Sequence, residues 1–136
     1  MNKRTARLVF GFPMARFAIL LPLLSGCQGW TMDYGRPAAQ FEARDAIALA
    51  PDHLRKKVTV RGRVSAVDTS DPERCVLKLD HGVTAHFGTS KRAAESYKVG
   101  EILHLDGIVK AVNPSGITLD PAFGRDPQAP FTPVRP

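Results

Sequence analysis

The chain has 136 residues, and its 19 lysines and arginines outnumber its 13 aspartates and glutamates, which gives a formal net charge of +6 at pH 7. This length is enough for one domain and excludes two. The positive balance would ordinarily favour a nucleic acid or an anionic membrane as the partner, but the placement of the charges along the chain weakens that interpretation.

The first 26 residues have the organisation of a secretory signal. An apolar run over residues 17–24 is followed by two small residues and preceded by four basic ones, namely Lys3, Arg4, Arg7 and Arg16. A run of eight apolar residues is far shorter than the roughly 20 that a helix needs to cross a bilayer core. The pattern therefore predicts a signal peptide that is removed rather than a segment that spans the membrane.

The sequence Leu-Ser-Gly-Cys at residues 24–27 resembles the lipobox of bacterial lipoproteins. The resemblance implies that Cys27 receives a diacylglycerol, that cleavage occurs just before it, and that an acyl chain such as palmitate modifies the freed amine. The alternative is a cytosolic protein whose N-terminal helix ends in Ser-Gly-Cys. Met14 begins a compact signal of its own, so Met1 and Met14 both remain candidate starts, and both leave Cys27 as the anchor.

The resemblance also implies a location. Gln28 follows the cysteine, at the position where aspartate usually retains a lipoprotein in the inner membrane. In a Gram-negative cell the expected location is therefore the outer membrane, with the domain facing the periplasm. Two or more acyl chains hold a protein stably, whereas one holds it marginally, so the membrane is the partner implied at Cys27.

Removal of the signal changes the charge and the cysteine content of the mature chain. The four basic residues of the signal leave with it and no acidic residue does, so 15 basic residues face 13 acidic ones and the net charge becomes +2. A basic balance is therefore weak evidence for a polyanionic partner. Once Cys27 carries lipid, Cys75 has no partner for an internal disulfide, and its place in an alternating apolar run favours a small buried residue over a reactive thiol.

The mature chain begins with a tether and a short helix. Residues 27–40 are small and polar and contain glycine and proline, which predicts a tether. The apolar spacing from Phe41 to Ala50 predicts a short helix that ends at Pro51. Residues 41–120 are expected to form the folded domain.

From Lys57 the apolar period changes to two, which predicts β-strands. In the first strand Gly62 takes an inward place where the strand bends sharply. The inward residues of this strand are Val58, Val60, Val64 and Ala66, and its outward residues are Thr59, Arg61, Arg63 and Ser65. Residues 75–79 form the second strand, and a tight turn at residues 80–82 leads into the third. The inward residues of the third strand are Val83, Ala85 and Phe87.

A second short helix and two further strands complete the domain. Residues 90–97, with Gly100 just past their end, predict the helix. Residues 101–112 are again strand-like, with Gly107 as an expected bulge where the inward and outward faces exchange, and a turn leads to a last strand at residues 117–119. Five prolines then fall within sixteen residues, so residues 121–136 are predicted to be an extended, disordered tail.

Three strands, a short helix and two further strands follow the order of a five-stranded OB-type barrel, a mainly β fold that here has a short N-terminal helix before it. The chain resembles the OB-fold families of small exported bacterial proteins, most of all the family named for its similarity to the tRNA-anticodon-binding module. The resemblance is carried by VTVRGRV (58–64), VLKL (76–79), VTAHF (83–87), KVGE (98–101) and LDGIV (105–109). These segments specify turns and a barrel core, so they indicate the fold and say almost nothing about function.

Outward side chains of the first three strands form the candidate ligand face. They are Arg61, Arg63, Lys78, Thr84 and His86. Nucleic-acid binding on an OB barrel relies on aromatic side chains that stack on bases, worth about 1 to 3 kcal/mol per base, and this face contains none. Charge alone would have to hold an oligonucleotide there, so an ordinary solvated face is favoured and nucleic acid is disfavoured as a partner.

No motif predicts a metal site or catalysis. The histidines His53, His81, His86 and His104 have no short paired spacing, and an OB barrel separates the strands of the last two by its fifth strand. No catalytic triad, phosphate loop or convergent carboxylate pair is recognisable, so neither enzyme activity nor a cofactor is expected. The sequence predicts a non-enzymatic, lipid-anchored module that binds an envelope protein or a small ligand. The alternative is an oligonucleotide- or oligosaccharide-binding protein that uses the face of the second and third strands.

Overall fold

The structure is a computed structural model that describes residues 36–136. The predicted signal peptide, the predicted lipidation site at Cys27 and most of the predicted tether therefore lie outside the described residues. Over residues 36–136, none of the helices has the length and apolar character needed to cross a membrane.

Six strands and two short α-helices make up the described part of the chain. β1 (Ala39–Glu42) leads into a helical stretch formed by a 3-10 turn (Ala43–Asp45), α1 (Ala46–Leu49) and a second 3-10 turn (Ala50–His53). Next come β2 (Lys57–Asp68), β3 (Cys75–Leu79), a third 3-10 turn (Asp80–Gly82) and β4 (Val83–Gly88). The chain continues with α2 (Lys91–Glu95), β5 (Ile102–Asn113) and β6 (Gly116–Gly124).

Five of the strands close a barrel, and β1 lies outside the ring. Neighbouring strands follow the order β1-β2-β3-β4-β6-β5, and an additional pairing of β2 with β5 closes the ring. The first half of β2 pairs antiparallel with β5, and its second half pairs antiparallel with β3. The mainly β barrel, with α2 between its third strand β4 and its fourth strand β5, confirms the fold class predicted from the sequence.

Alternating side chains fill the barrel interior, as the period-two pattern predicted. The fully buried residues at predicted inward positions include Val58, Val60, Cys75, Leu77 and Ala85. Phe87 also lies inside the barrel. Burying one valine or leucine side chain completely is worth roughly 1.5–3 kcal/mol, so these positions together stabilise the closed barrel.

Thr59 departs from this pattern, because the alternation predicts that it faces outwards and its side chain is fully buried. β2 lies between β1 and β5 at this point, and Thr59 stands opposite Asp106 of β5. The Thr59 hydroxyl donates to Asp106 Oδ1, so the buried polar group has a partner. Arg125, which follows β6, pairs with the same Asp106 carboxylate, so the outward face of β2 is also covered here and does not show the simple alternation of a half-buried strand.

Two glycines sit where the sequence predicted bends. A Cβ atom on Gly62 would lie 2.8 Å from the Ala43 Cβ and 3.1 Å from the Leu79 Cδ1, so this part of β2 passes close to its neighbours. The prediction that Gly107 is a bulge where the inward and outward faces exchange is wrong, because Leu105 and Val109 on either side of it are both buried and the register shift next to it places the extra residue on β6. Gly107 instead allows a close approach, since a Cβ atom there would lie 2.9 Å from the Leu119 Cβ. Both positions let the long strands β2 and β5 curve around the barrel.

Phe41 was predicted to begin a helix, and this prediction is wrong. Phe41 lies in β1, pairs in parallel with Val60 of β2 and is fully buried. The helical stretch starts after β1 and continues past Pro51. Pro51 is tolerated because it occupies the first turn of the 3-10 segment Ala50–His53, where a backbone N–H would have no partner within the helix.

The last strand is longer than the sequence predicted. β6 runs through Gly124 rather than ending before Asp120, and Ala122 is buried opposite Gly107. Pro121 fits within this strand because it falls at the register shift between β5 and β6, where the ladder is already interrupted. Residues 125–136 contain no further strand, but their backbone hydrogen-bonds at several points to β1 and β5.

Candidate functional site

The structure divides the five predicted face residues between two grooves. Arg61 and Arg63 line the first groove, and Lys78 and Thr84 line the second. Lys78 and Thr84 stand directly opposite each other on β3 and β4. His86 lies further along β4, opposite Val76. The five residues therefore do not form one continuous face.

The first groove, named here the arginine groove, has a volume of about 570 Å³. Small-molecule sites commonly have volumes of about 300–1,000 Å³. Its charged lining consists of four guanidinium groups and two carboxylates, contributed by Arg44, Arg61, Arg63, Arg135, Glu42 and Asp80. The rest of the lining is Ala43, Gly62, His81 and Ile102. Positive charge therefore prevails in the groove, although the predicted mature chain is nearly neutral.

Arg61 is held in place from two sides. Its guanidinium donates two hydrogen bonds to the Glu42 carboxylate, which lies opposite it in the parallel pairing of β1 with β2. The same guanidinium lies 4.7 Å from the centre of the Phe131 ring, a cation–π distance. Arg61 thus reaches the groove with a fixed orientation and with part of its charge compensated by Glu42.

The other arginines of the groove come from three different segments. Arg63 extends from β2 and donates from Nη1 to the Gly100 carbonyl oxygen at 2.7 Å. Arg44 belongs to the turn after β1, and its Nε lies 3.8 Å from an Asp45 carboxylate oxygen. Arg135 is exposed and is the next-to-last residue of the chain.

The C-terminal segment reaches the groove because Gln40 of β1 holds it. The Gln40 side chain accepts a hydrogen bond from the Thr132 N–H at 2.8 Å and donates to the Pro130 carbonyl oxygen at 3.3 Å. The Gln40 backbone carbonyl accepts from the Val134 N–H at 2.7 Å. These three bonds fix residues 130–134 along β1 and place the following residue, Arg135, in the groove lining.

Phe131 covers His104 as well as Arg61. The ring centres of Phe131 and His104 are 4.9 Å apart, and both His104 ring nitrogens are buried without a hydrogen-bond partner in the described structure. Burial lowers the pKa of His104, and the nearby positive charges of Arg61 and Arg125 lower it further. His104 is therefore held in its neutral form beneath the C-terminal segment.

A buried charged pair fastens the beginning of this segment. Arg125 Nη1 lies 3.2 Å from Asp106 Oδ2, and the Arg125 N–H donates to the His104 carbonyl oxygen at 2.9 Å. Asp106 is buried and also accepts from Thr59. Sequence patterns do not single out the residues that build this part of the site, namely Gln40, Asp106, Arg125, Phe131 and Arg135. Their contacts join residues that are far apart in the sequence, which spacing and periodicity do not reveal.

The second groove, named here the hairpin groove, has a volume of about 420 Å³. The turn Asp80–Gly82 and the turn between β5 and β6 form its walls. Gly82 and Gly116 allow the two turns to touch, because a Cβ atom on either residue would overlap the backbone of the other turn. His81 and Gly82 both have positive φ, which agrees with the predicted tight turn.

The residues with metal-binding or nucleophilic chemistry are dispersed. Among residues 36–136, no three or more histidines, cysteines or acidic residues are grouped so as to hold a metal ion. His86 on β4 and His104 on β5 are separated by β6, as the fold predicted. Cys75 is buried and unpaired, in agreement with the prediction of a small core residue.

Comparisons with known proteins add two solved structures of low similarity. A lipoprotein of Klebsiella pneumoniae to which nucleic-acid binding is attributed has 18% identity and a TM-score of 0.44, over 60% of this chain and 80% of that one. A protein of Leishmania major attributed to the aspartyl-tRNA synthetases has 16% identity and a TM-score of 0.44, over 75% of this chain and 24% of that one. No protein-family model and no curated protein matches the chain. The fold assignment therefore rests on the strand order and pairing described above.

Proposed function

We propose that the chain is a lipid-anchored binding module, in which a non-enzymatic OB barrel is held at the outer membrane through Cys27 and binds an envelope partner or small ligand. The location rests on the sequence at residues 24–28, where Leu-Ser-Gly-Cys is followed by glutamine rather than aspartate. The binding role rests on the barrel, which presents open grooves on a closed and well-packed scaffold.

The observation that carries the binding role is the arginine groove. Arg61 is oriented by Glu42 and Phe131, and Arg63 is oriented by the Gly100 carbonyl, so polar donors line the groove in fixed positions. A site whose side chains are fixed before binding loses less conformational entropy when a ligand arrives.

The non-enzymatic reading is supported by the chemistry of the groove walls. The charged lining of the arginine groove consists mostly of guanidinium groups, with the Glu42 carboxylate engaged by Arg61 and with His81 as the one imidazole of the groove, and Cys75 is buried and does not line it. Guanidinium groups stay protonated and bind anions, but they do not act as a base near neutral pH. Binding is the function that such walls serve best.

The anchor is tested in a Gram-negative host with the full chain and two cysteine variants. Cys27→Ser should abolish acylation and cleavage, so that the uncleaved precursor accumulates and intact-mass measurement finds no added lipid. Cys75→Ser is the matched control and should be processed and fractionate with the outer membrane like the parent. An unmodified, uncleaved parent chain in the cytosol would contradict the proposed location.

The binding role is tested in the same cells with a photo-crosslinking amino acid at one exposed apolar position. Ile102 lines the arginine groove, whereas Val99 is comparably exposed and lies outside its lining. A crosslinker in place of Ile102 should add a discrete mass to the protein, and a crosslinker in place of Val99 should not. Equal labelling at both positions, or none at either, would contradict a binding role for the groove.

A further inference from the structure

We propose that the arginine groove binds a non-aromatic polyanion, a ligand with several phosphate or carboxylate groups and no aromatic ring, and that the C-terminal segment completes the site by supplying Arg135. This inference rests on the proposed binding role of the groove and adds the chemical class of the ligand. It also assigns a role to residues 125–136, which the sequence pattern left without one.

The charge of the lining determines the class of ligand. Four guanidinium groups face two carboxylates, and one of those carboxylates, Glu42, is already engaged by Arg61. Guanidinium groups bind phosphate and carboxylate through paired N–H donors, and such charge-assisted hydrogen bonds are about twice as strong as neutral ones. A ligand with several oxyanion groups can engage several arginines at once, whereas a neutral ligand would leave Arg63 and Arg135 without the counter-charge that Glu42 gives Arg61.

The apolar and aromatic content of the lining argues against an oligonucleotide. The lining contains Ile102 and Ala43 but no phenylalanine, tyrosine or tryptophan, and the His81 imidazole is its single ring. The Phe131 ring is occupied by Arg61 and His104, so it is not available to stack on a base. Without stacking, a base adds little binding free energy in this groove, so only the phosphate groups of an oligonucleotide would contribute to its affinity.

The C-terminal segment is positioned to complete the groove. Gln40 makes its three hydrogen bonds to residues 130–134, immediately before Arg135. The ring of Phe131 also packs on Arg61, which itself lines the groove. One segment therefore contributes one arginine directly and orients a second.

The test is calorimetric titration of the full-length chain in a non-ionic detergent at low salt. The probes are sodium tripolyphosphate, tricarballylate, a neutral maltooligosaccharide and single-stranded oligothymidylate. We expect binding of tripolyphosphate or tricarballylate, weakening as salt is raised because ions screen exposed charges, and the stronger of the two identifies the oxyanion. Tighter binding of oligothymidylate overturns the ligand class and leaves the binding role intact. The same holds for tighter binding of the oligosaccharide.

Single substitutions locate the site. Arg135→Gln and Arg63→Gln should each weaken polyanion binding by about ten-fold, because each removes one charge-assisted contact. Arg92→Gln on α2 and Lys78→Gln in the hairpin groove remove the same charge elsewhere and should change the affinity less than two-fold. Equal losses in all four variants would show a nonspecific charge effect and would overturn the site.

A double-mutant cycle tests the role of the C-terminal segment. Gln40→Ala should weaken binding in the parent chain because Arg135 is no longer held, but it should have no further effect when Arg135→Gln is already present. If Gln40→Ala causes the same loss in both backgrounds, the segment does not act through Arg135 and this part of the inference is wrong. Melting temperatures of all variants confirm that binding is compared between folded proteins.

Discussion

The arginine groove and the hairpin groove share the turn Asp80–Gly82 but are built in different ways. The hairpin groove is lined mainly by two hairpins, namely β3 and β4 with their turn and the start of β6 with the turn that precedes it. The arginine groove is assembled from β1, β2, the start of β5 and the C-terminal segment. Because four separate segments each contribute an arginine or a carboxylate, the arginine groove gathers more charge than the hairpin groove does.

The backbone contact beneath the hairpin groove should give the largest effect. Gly82→Ala should destabilise the fold by about 3 kcal/mol, because the new Cβ would overlap the Ser115 carbonyl oxygen and φ is positive there. Urea denaturation measures this change. Gly88→Ala is the matched control, since Gly88 also has positive φ but no atom within 4 Å of the added Cβ, and it should cost about 1 kcal/mol. Equal losses of stability in the two variants would show that the contact between the two turns does not contribute to the stability of the fold.

The pair formed by Arg125 and the buried Asp106 should give the next largest effect on the free energy of unfolding. Arg125→Met should cost about 3 kcal/mol, because it leaves the buried Asp106 carboxylate without its cation. Lys110→Met is the control, as Lys110 pairs with Asp120 at an exposed position and should cost less than about 1 kcal/mol. Both values come from denaturation at neutral pH. A loss at Lys110 as large as that at Arg125 would contradict the distinction between buried and exposed pairs.

Removal of the Phe131 ring should have a smaller effect on global stability. Phe131→Ala should cost about 1 kcal/mol, because the ring is half-buried and loses its contacts with Arg61 and His104. Its clearer signature is local, since amide exchange at Thr132 and Val134 should accelerate while exchange in the β3–β4 hairpin does not. Unchanged exchange at Thr132 and Val134 would show that the ring is not what holds the segment.

The smallest expected effect is a pH dependence of the free energy of unfolding that arises from His104, the residue beneath the Phe131 ring. The pKa of His104 is lowered from 6.5 by burial, by Arg61 and by Arg125, while Glu42 and Asp106 oppose this shift. Below about pH 6.5 the unfolded chain binds a proton at His104 that the folded chain binds only at lower pH. Stability should therefore fall as the pH drops through this window and should level off below the lowered pKa.

His104→Gln should flatten the stability profile between pH 7 and 5, as measured by urea denaturation at each pH. Phe131→Ala should flatten it in part, because the ring that buries His104 is gone. An unchanged slope in His104→Gln would show that another group causes the pH dependence.

The barrel was predictable from the sequence because its signals are local. The alternation of Val58, Val60 and Val64 marks the long first strand of the ring, whereas the bulge expected at Gly107 is found instead between Val109 and Ala111. The turn at His81 and Gly82 follows from residue types that tolerate positive φ. Each of these features depends on residues within a few positions of one another.

The strand β1 was missed although it carries a weak signal. Ala39, Phe41 and Ala43 are all buried, and this alternation fits a strand as well as the start of a helix. Four residues do not decide between the two periods, and the parallel pairing with β2 decides it in the folded chain. Short strands are specified by their neighbours rather than by their own sequence.

The arginine groove could be predicted only in part. Arg61 and Arg63 follow from the outward phase of β2, but the contribution of Arg44 and Arg135 does not follow from any spacing. Proline content predicted an extended, disordered tail over residues 121–136, whereas residues 121–124 belong to β6 and residues 130–134 are hydrogen-bonded to Gln40. It carried no information about whether Gln40, some 90 residues earlier, would hold the segment.

The hydrogen bonds of Gln40 fasten the two ends of the described chain to each other. A fluorescent protein or affinity tag fused after Pro136 would emerge close to β1 and to the arginine groove, because Gln40 holds residues 130–134 there. The loop between β2 and β3, whose residues 69–74 are largely exposed, is a better insertion point for a reporter. Reporter placement therefore decides whether the contacts between Gln40 and residues 130–134 stay undisturbed in a cellular experiment.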